Sequence, residues 1–281
     1  MARCHRNFVE GFWQYTKSTP GASRRSSDGG TLLRSGIAAS QANIWFLEEP
    51  TGSLDTIFEE ATAYFGPNRP WRVIAAGSQV EEVHRVAAVH RLTPIASEPG
   101  MILDPMPAPP SPVPGLSIRT VDSPATLEDF GTAWCAAFGI PRWIFDMVLP
   151  TVLADDRERG TQNRFLVGYA GGGPVACSSV IVSEGVAGIL SVGTTRAARG
   201  HGYGTALTWQ AVEEGRRLGA DVAYLSATSM GYPVYERMGF RRVAEYPSWA
   251  TPVGFFRQIR LVLGMWQVAR ASRRRGAPRV L

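Results

Sequence analysis

Lysine is almost missing from this chain: Lys17 stands alone among 29 basic residues. Arginine has replaced it nearly everywhere, which points to a GC-rich bacterial genome rather than to a functional demand. No run of about 18 apolar residues occurs, so no membrane-spanning helix is expected. The opening residues, MARCHRNFVEGFW, lack the apolar core of a signal peptide. Cysteine is scarce, and Cys4, Cys135 and Cys177 are odd in number and far apart. That excludes a disulfide framework and favours a reduced, cytoplasmic protein. His5, His84, His90 and His201 show no ligand spacing, so no metal is expected. The net charge of +5 is also less than it looks. Residues 254–281 hold seven arginines and no acid, so the remaining chain sums to about −2. A nucleic-acid footprint would spread over a folded surface, and none is expected here.

What is present centres on residues 186–243. Ile189-Leu190-Ser191-Val192 has the apolar character of a short strand, and Arg199-Gly200-His201-Gly202-Tyr203-Gly204 follows it as a loop. Helical spacing begins at once, with Leu207, Ala211, Gly215 and Leu218 on one face. Gly219 ends the helix, and Val222-Ala223-Tyr224-Leu225 reads as a buried strand. Strand, glycine loop and helix together make an anion site. The first helical turn has N–H groups without intrahelical partners, and the macrodipole adds positive potential there. Glycines at 200, 202 and 204 let a pyrophosphate approach the backbone, and Arg199 and His201 add donors. A Walker loop is excluded for want of Gly-Lys-Ser/Thr. A dinucleotide fingerprint is excluded because the third glycine comes one place early and Asp221 precedes the following strand instead of closing it.

The segment resembles the signature of the GNAT superfamily of acyl-CoA-dependent N-acyltransferases in four linked places. Arg199-x-x-Gly202-x-Gly204 is similar to the loop that wraps the CoA pyrophosphate in that family. Val192-Gly193-Thr194 looks like the strand end whose backbone binds the acyl and pantetheine groups. Leu225-Ser226-Ala227-Thr228-Ser229 is similar to the next strand and the polar position after it. Pro233-Val234-Tyr235-x-x-x-Gly239-Phe240 resembles the element whose tyrosine is often the general acid.

The resemblance implies an α/β chain with a mixed sheet, and four segments follow. Residues 1–103 alternate strand and helix: strands near Leu32-Leu33, at Ile44–Leu47 and at Trp71–Ala75, helices over Leu54–Phe65 and Gln79–Leu92. That order repeats the second half of a GNAT lobe, but Glu48-Glu49-Pro50-Thr51-Gly52 stands where the glycine loop would be, and two carboxylates repel a pyrophosphate. The expectation is a tandem arrangement with a degenerate N-terminal lobe, against an unrelated α/β cap. Residues 104–115, DPMPAPPSPVPG, form a proline-rich linker. Residues 116–253 form the catalytic domain, with a strand at Leu116–Val121, a helix from Pro124 to Phe138, a second helix from Trp143 to about Leu153, and two hairpins. Residues 254–281 are a basic tail, read as docking on the N-terminal lobe or as weak peripheral contact with anionic lipid.

The resemblance also implies the chemistry. Acetyl-CoA, or another acyl-CoA, is the expected co-substrate, and a small-molecule or peptide amine the acceptor. Backbone from Val192 to Thr194 binds the acyl end, the loop from Arg199 through Thr205 (including Gly200, His201, Gly202, Tyr203 and Gly204) binds the phosphates, and Ser229 belongs to the same site. Tyr235 protonates the leaving thiolate. Many relatives carry a glutamate on the strand before the loop, but this chain has small or apolar residues there, so Glu184 or a water chain is the candidate base. Phe138, Trp143 and Phe145 are expected to shape the acceptor pocket. A non-catalytic acyl-CoA-binding sensor or scaffold is the alternative.

Overall fold

The computed structural model describes residues 1–77, 79–148 and 162–252. It forms two compact units, Met1–Arg24 with Ala96–Pro247, and Arg25–Ile95 with the residues from Ser248. The sequence boundary at residue 103 therefore differs from the observed partition at both ends. Helix α1 (Ala2–Thr16) belongs to the larger unit, as does most of the strand that precedes the prolines.

In the smaller unit, β1 (Ser23–Ser27), β2 (Gly30–Arg34) and β3 (Ile44–Leu47) lead into α2 (Leu54–Phe65), β4 (Arg72–Ala75) and α3 (Val80–Val89). Strands β2 and β3 are antiparallel and β3 and β4 parallel. One face buries Leu32, Trp45 and Val73 under Ile57, Phe58 and Val86. Ser248–Ala250 add a further antiparallel strand beside β4.

The larger unit takes 96–103 of β5 (Thr93–Leu103), then β6 (Ser117–Thr120), α4 (Pro124–Phe138), α5 (Arg142–Val148), β7 (Gln162–Ala170), β8 (Gly173–Ser183), β9 (Val186–Thr194), α6 (Tyr203–Arg217), β10 (Val222–Ser226), α7 (Tyr232–Arg237) and 241–247 of β11 (Arg241–Ala250). The strand order is β11-β5-β10-β9-β8-β7-β6, with β9 and β10 parallel and their outer neighbours antiparallel. Helix α4 starts where Ser123 and Thr126 form a capping box ahead of Pro124, and it stops at Gly139 in the left-handed region. The remainder of the helix expected to reach Leu153, and the tail 254–281, lie outside the described residues.

Alternation along β9 assigns its two faces. Ala187 and Ile189 join Ala223, Leu225, Met101 and Leu103 in a core under α6. Gly188 and Leu190 face the other way, under α1. The fit there is geometric: Asn7 lies on Gly188 and Gly11 on Leu190, because four helical residues rise about 6 Å and two strand residues about 6.6 Å. The Asn7 amide then donates to the Ile181 carbonyl (3.0 Å), the Val186 carbonyl (3.1 Å) and the Ser183 hydroxyl (2.9 Å). On the opposite face Gly215 of α6 rests on Ala187, where any Cβ would collide with the Ala187 methyl. Gly215→Ala is expected to lower stability by about 1–3 kcal/mol, read as a reduced urea midpoint with an unchanged m-value.

Candidate active site

Strands β9 and β10 pair only over Val186–Gly188 and Val222–Tyr224. Beyond that point β9 stays with β8 as far as Thr194 opposite Ala176, while β10 stays with β5 as far as Ser226 opposite Gly100. The sheet therefore opens between them. A β-bulge on β9 accompanies the parting, since Cys177 pairs with Gly193 and Ser179 with Leu190. Ser191, in the bulge, has φ 54°, a left-handed conformation that costs a non-glycine residue about 1–2 kcal/mol. Two donors hold it there: the Tyr15 hydroxyl at 2.8 Å and the Trp134 indole N–H at 3.2 Å, both to Ser191 Oγ. Each such bond contributes about 1 kcal/mol, enough to offset the strain. Burial pushes the Tyr15 phenol pKa up, so it remains a neutral donor.

The Thr195 N–H donates across the ladder to the Val175 carbonyl at 2.9 Å. By antiparallel alternation, the N–H and C=O of Thr194 then point into the opening. The Thr194 carbonyl accepts from Arg199 Nε at 3.3 Å, and a second Arg199 nitrogen donates to the Ala137 carbonyl at 3.4 Å. Arg199 thus ties the strand end to α4.

From the opening, a cleft of about 680 Å³ runs over the start of α6. Thr194, Arg199, Gly200 and Gly202 through Thr205 line it. Gly202 is the helix N-cap with φ 77°, and Gly200 has φ 84°. No side chain caps the helix, so its first N–H groups face the cleft. Two arginines, Arg199 and Arg237, and among the described residues no carboxylate, complete a lining suited to an anion.

Other expectations change. His201 does not line the cleft; its Nδ1 meets the Arg199 and Ala198 carbonyls at 3.0 and 3.3 Å and its ring stacks on Tyr203, bracing the loop. Val192 packs on the core, and Gly193 lies beneath Ala137 and Phe138. Ser229 is exposed outside the cleft lining, whereas its neighbour Thr228 accepts the Gly231 N–H (3.2 Å) and helps start α7. Glu184 is not brought to the site. It occupies the β8–β9 turn at the far end of β9, eight residues or about 26 Å of extended chain from Val192. There Arg6 grips it through Nε at 2.8 Å and holds its carboxyl below the usual range, first by that hydrogen bond. Phe138 is exposed beside Gly193 and Trp143 is half-buried on α5, but Phe145 is buried against Gly131 and fills the α4–α5 junction. Burial lifts the Cys177 thiol to about 12, as befits an inert core residue.

Several contributors escaped the sequence reading. Pro107, Ala108 and Pro110 of the expected linker form one wall, fixed because Arg216 donates to the Met106 and Pro107 carbonyls at 2.9 and 2.8 Å. Trp209 and Arg237 also line the cleft. Helical spacing was the available signal, since Trp209 lies four residues beyond Thr205, and Arg237 three beyond Val234.

Tyr235 stands beside the cleft under the core face, its ring edge-on to Phe240 at 5.9 Å. Burial raises its phenol to about 12, and a hydrogen bond with Thr208 pulls the other way. The folded pKa lies above the unfolded value of about 10. Its contribution to stability is therefore complete below about pH 10 and disappears as the pH rises toward 12. Between those limits wild type is expected to lose stability more steeply than Tyr235→Phe, as measured by urea unfolding at successive pH values.

The sequence model of the acetyltransferase (GNAT) family matches residues 129–240. No curated protein matches the chain. Among solved structures, it is similar to a GCN5-related N-acetyltransferase from Kribbella flavida, with TM-score 0.67 and 16% identity over 90% of this chain and 96% of that one. It is also similar to a GCN5-related N-acetyltransferase from Sphaerobacter thermophilus, with TM-score 0.59 and 17% identity over 82% and 75% of the two chains. A tandem GNAT protein from the clavulanic acid biosynthesis pathway has TM-score 0.56 and 17% identity, with 83% of each chain covered.

Proposed function

We propose that the chain, which matches the acetyltransferase (GNAT) family model over residues 129–240, is an acetyltransferase that moves an acetyl or other short acyl group from acyl-CoA to a primary amine, by direct attack in a ternary complex. The observation that carries this reading is the parting of β9 from β10, which leaves a slot for an extended pantetheine-like arm beside an uncapped helix start. The site fits the co-substrate. Its anion-binding end offers free N–H groups and two arginines without a carboxylate, and the slot beyond it has a strand edge with hydrogen-bonding groups to offer.

In this reading the pyrophosphate lies over Gly200 to Thr205, and the acyl carbonyl accepts from backbone N–H groups of the Val192–Thr194 stretch. Fixed donors aimed at the developing oxyanion supply stabilisation that water would have to reorganise to give. Tyr235 gives its proton to the departing thiolate. Its raised pKa keeps it protonated through the neutral range, and a thiol of pKa about 8.5 is more acidic, so the transfer follows the development of negative charge on sulfur. Phe138 and Trp134, on the face opposite Tyr235 and beside Gly193 and Ser191, border the side from which the amine enters.

The smaller unit fits a degenerate GNAT-like lobe. Its parallel pair β3–β4 stays zipped from Ile44 and Arg72 to Leu47 and Ala75, with the Ala76 N–H continuing onto the Leu47 carbonyl at 2.8 Å. Among the described residues no slot opens along this pair. Asp28 fills the place of an anion, accepting from the Gly52 N–H (2.8 Å) and the Thr51 hydroxyl (2.7 Å), which hold its carboxyl below the usual range. We assign the chain to the cytoplasm on its free thiols, Cys4, Cys135 and Cys177.

Acetyl-CoA turnover on a panel of amines, followed as released thiol, tests the function. Tyr235→Phe is expected to lower kcat at least tenfold with CoA affinity within about twofold of wild type. In wild type, Tyr235 should impose no descending limb on kcat/KM below about pH 10. Tight CoA binding without turnover on any amine would replace the enzyme by the sensor reading. The distance of Glu184 from the slot is the observation that favours that second reading.

A further inference from the structure

We propose that Glu98 is the carboxylate that receives the acceptor's ammonium group and takes its proton, an inference that rests on the acyltransfer reading above. Glu98 comes from β5, ahead of the proline-rich stretch and far in sequence from the glycine loop. Strand alternation sets its side of the sheet. Met101 and Leu103 lie in the core under α6, while Gly100 and Ile102, paired with Ser226 and Tyr224, face the opposite side. Glu98, two residues before Gly100, continues that second set. The Ser226 hydroxyl donates to Glu98 Oε2 at 2.9 Å. Ser226 is the last residue of β10, beyond the point where β9 departs. The carboxylate therefore stands at the edge of the slot, on the face bordered across it by Ser191, Trp134 and Phe138.

Pairing or place in the sheet separates Glu98 from the other acids on this side of the unit, since Asp129 and Asp122 are hydroxyl-bonded like Glu98 but belong with β7 and β6, at the sheet edge away from β10. Glu10 is bound to Arg24, Glu184 to Arg6, and Glu128 and Asp146 to Arg142, while Asp129 accepts from the Tyr169 hydroxyl. Among the described residues Glu98 has no cationic partner; its hydrogen bond is to the neutral Ser226. A half-buried carboxylate held by a hydroxyl and lacking a counter-charge suits an incoming primary ammonium.

The two faces then divide the reaction. The ammonium gives one proton to Glu98, and the freed nitrogen lone pair forms the C–N bond at the thioester carbonyl. The carbonyl electrons move to oxygen and return as the C–S bond breaks. The thiolate takes the Tyr235 proton from the core face. The second proton lost by nitrogen restores Tyr235 through water, so the products are amide, free thiol and one proton on Glu98. Acid and base stand on opposite sides of the parted strands, so neither neutralises the other.

The test uses the full chain. Glu98→Gln is expected to lower kcat/KM for the amine at least 100-fold near neutral pH, with acetyl-CoA affinity by calorimetry within about twofold of wild type. The deficit should shrink as the pH approaches the amine's own pKa, where solvent supplies the free base, and Glu98→Asp should recover part of the rate. Two results overturn the proposal: Glu98→Gln within about threefold of wild type on every amine, or Ser226→Ala matching its loss and its pH profile, which would make the pair structural. A wild type that binds acetyl-CoA but acylates no amine would defeat the acyltransfer reading itself, and this assignment with it; activity lost in Tyr235→Phe but kept in Glu98→Gln would defeat this assignment alone.

Discussion

A parallel strand pair that is hydrogen-bonded along its length has no room for anything between its members. In the larger unit, β9 and β10 share only a short ladder, and each is then drawn away by its antiparallel neighbour, β8 on one side and β5 on the other. The backbone groups released on the inner edges must find partners elsewhere. Arg199 answers part of that need at the Thr194 carbonyl. The cleft over the start of α6 descends from this separation. The smaller unit carries the same order of elements with the ladder closed, and a carboxylate of its own where an anion would sit.

Keeping the slot open carries a local cost at Ser191, and the repayment comes from an unexpected place. The first helix of the chain lies along β9 with a repeat of four residues to two, so Asn7, Gly11 and Tyr15 fall on successive points of the strand. Tyr15 and Trp134 reach the bulge from two different helices and meet at one hydroxyl. The N-terminal residues are thereby part of the larger unit rather than of the smaller one that follows them in sequence. The strand exchange at β5 and β11 has the same character, since each compact unit takes a strand whose chain neighbours lie in the other.

Local signals were read well where their cause is local. The helix Leu54–Phe65 and the capped helix from Pro124 to Phe138 depend on spacing, a cap and a terminating glycine, all within a few residues. The glycine loop is legible for the same reason: three glycines and an arginine before a helix say anion whatever surrounds them. Helix α1 was passed over because its buried face includes Asn7, Gly11 and Gln14, residues that count as polar or small until a glycine-bearing strand is set beneath them. Glu184 was chosen because it is near β9 in sequence. A strand is an extended rod, however, and nearness at one end is distance at the other.

By itself, then, the sequence determined the α/β class, the glycine loop that opens α6 and the tyrosine that follows the next strand, because each is written in contiguous residues. Only the tertiary structure decided that Glu98 meets Ser226 at the end of β10, that prolines 107 and 110 wall the cleft, and that Tyr15 holds the bulge. Those relations join residues far apart in the sequence, through strand register and face at Glu98 and Tyr15 and through Arg216 at the prolines. A shift of one residue in register turns a side chain to the other side of the sheet.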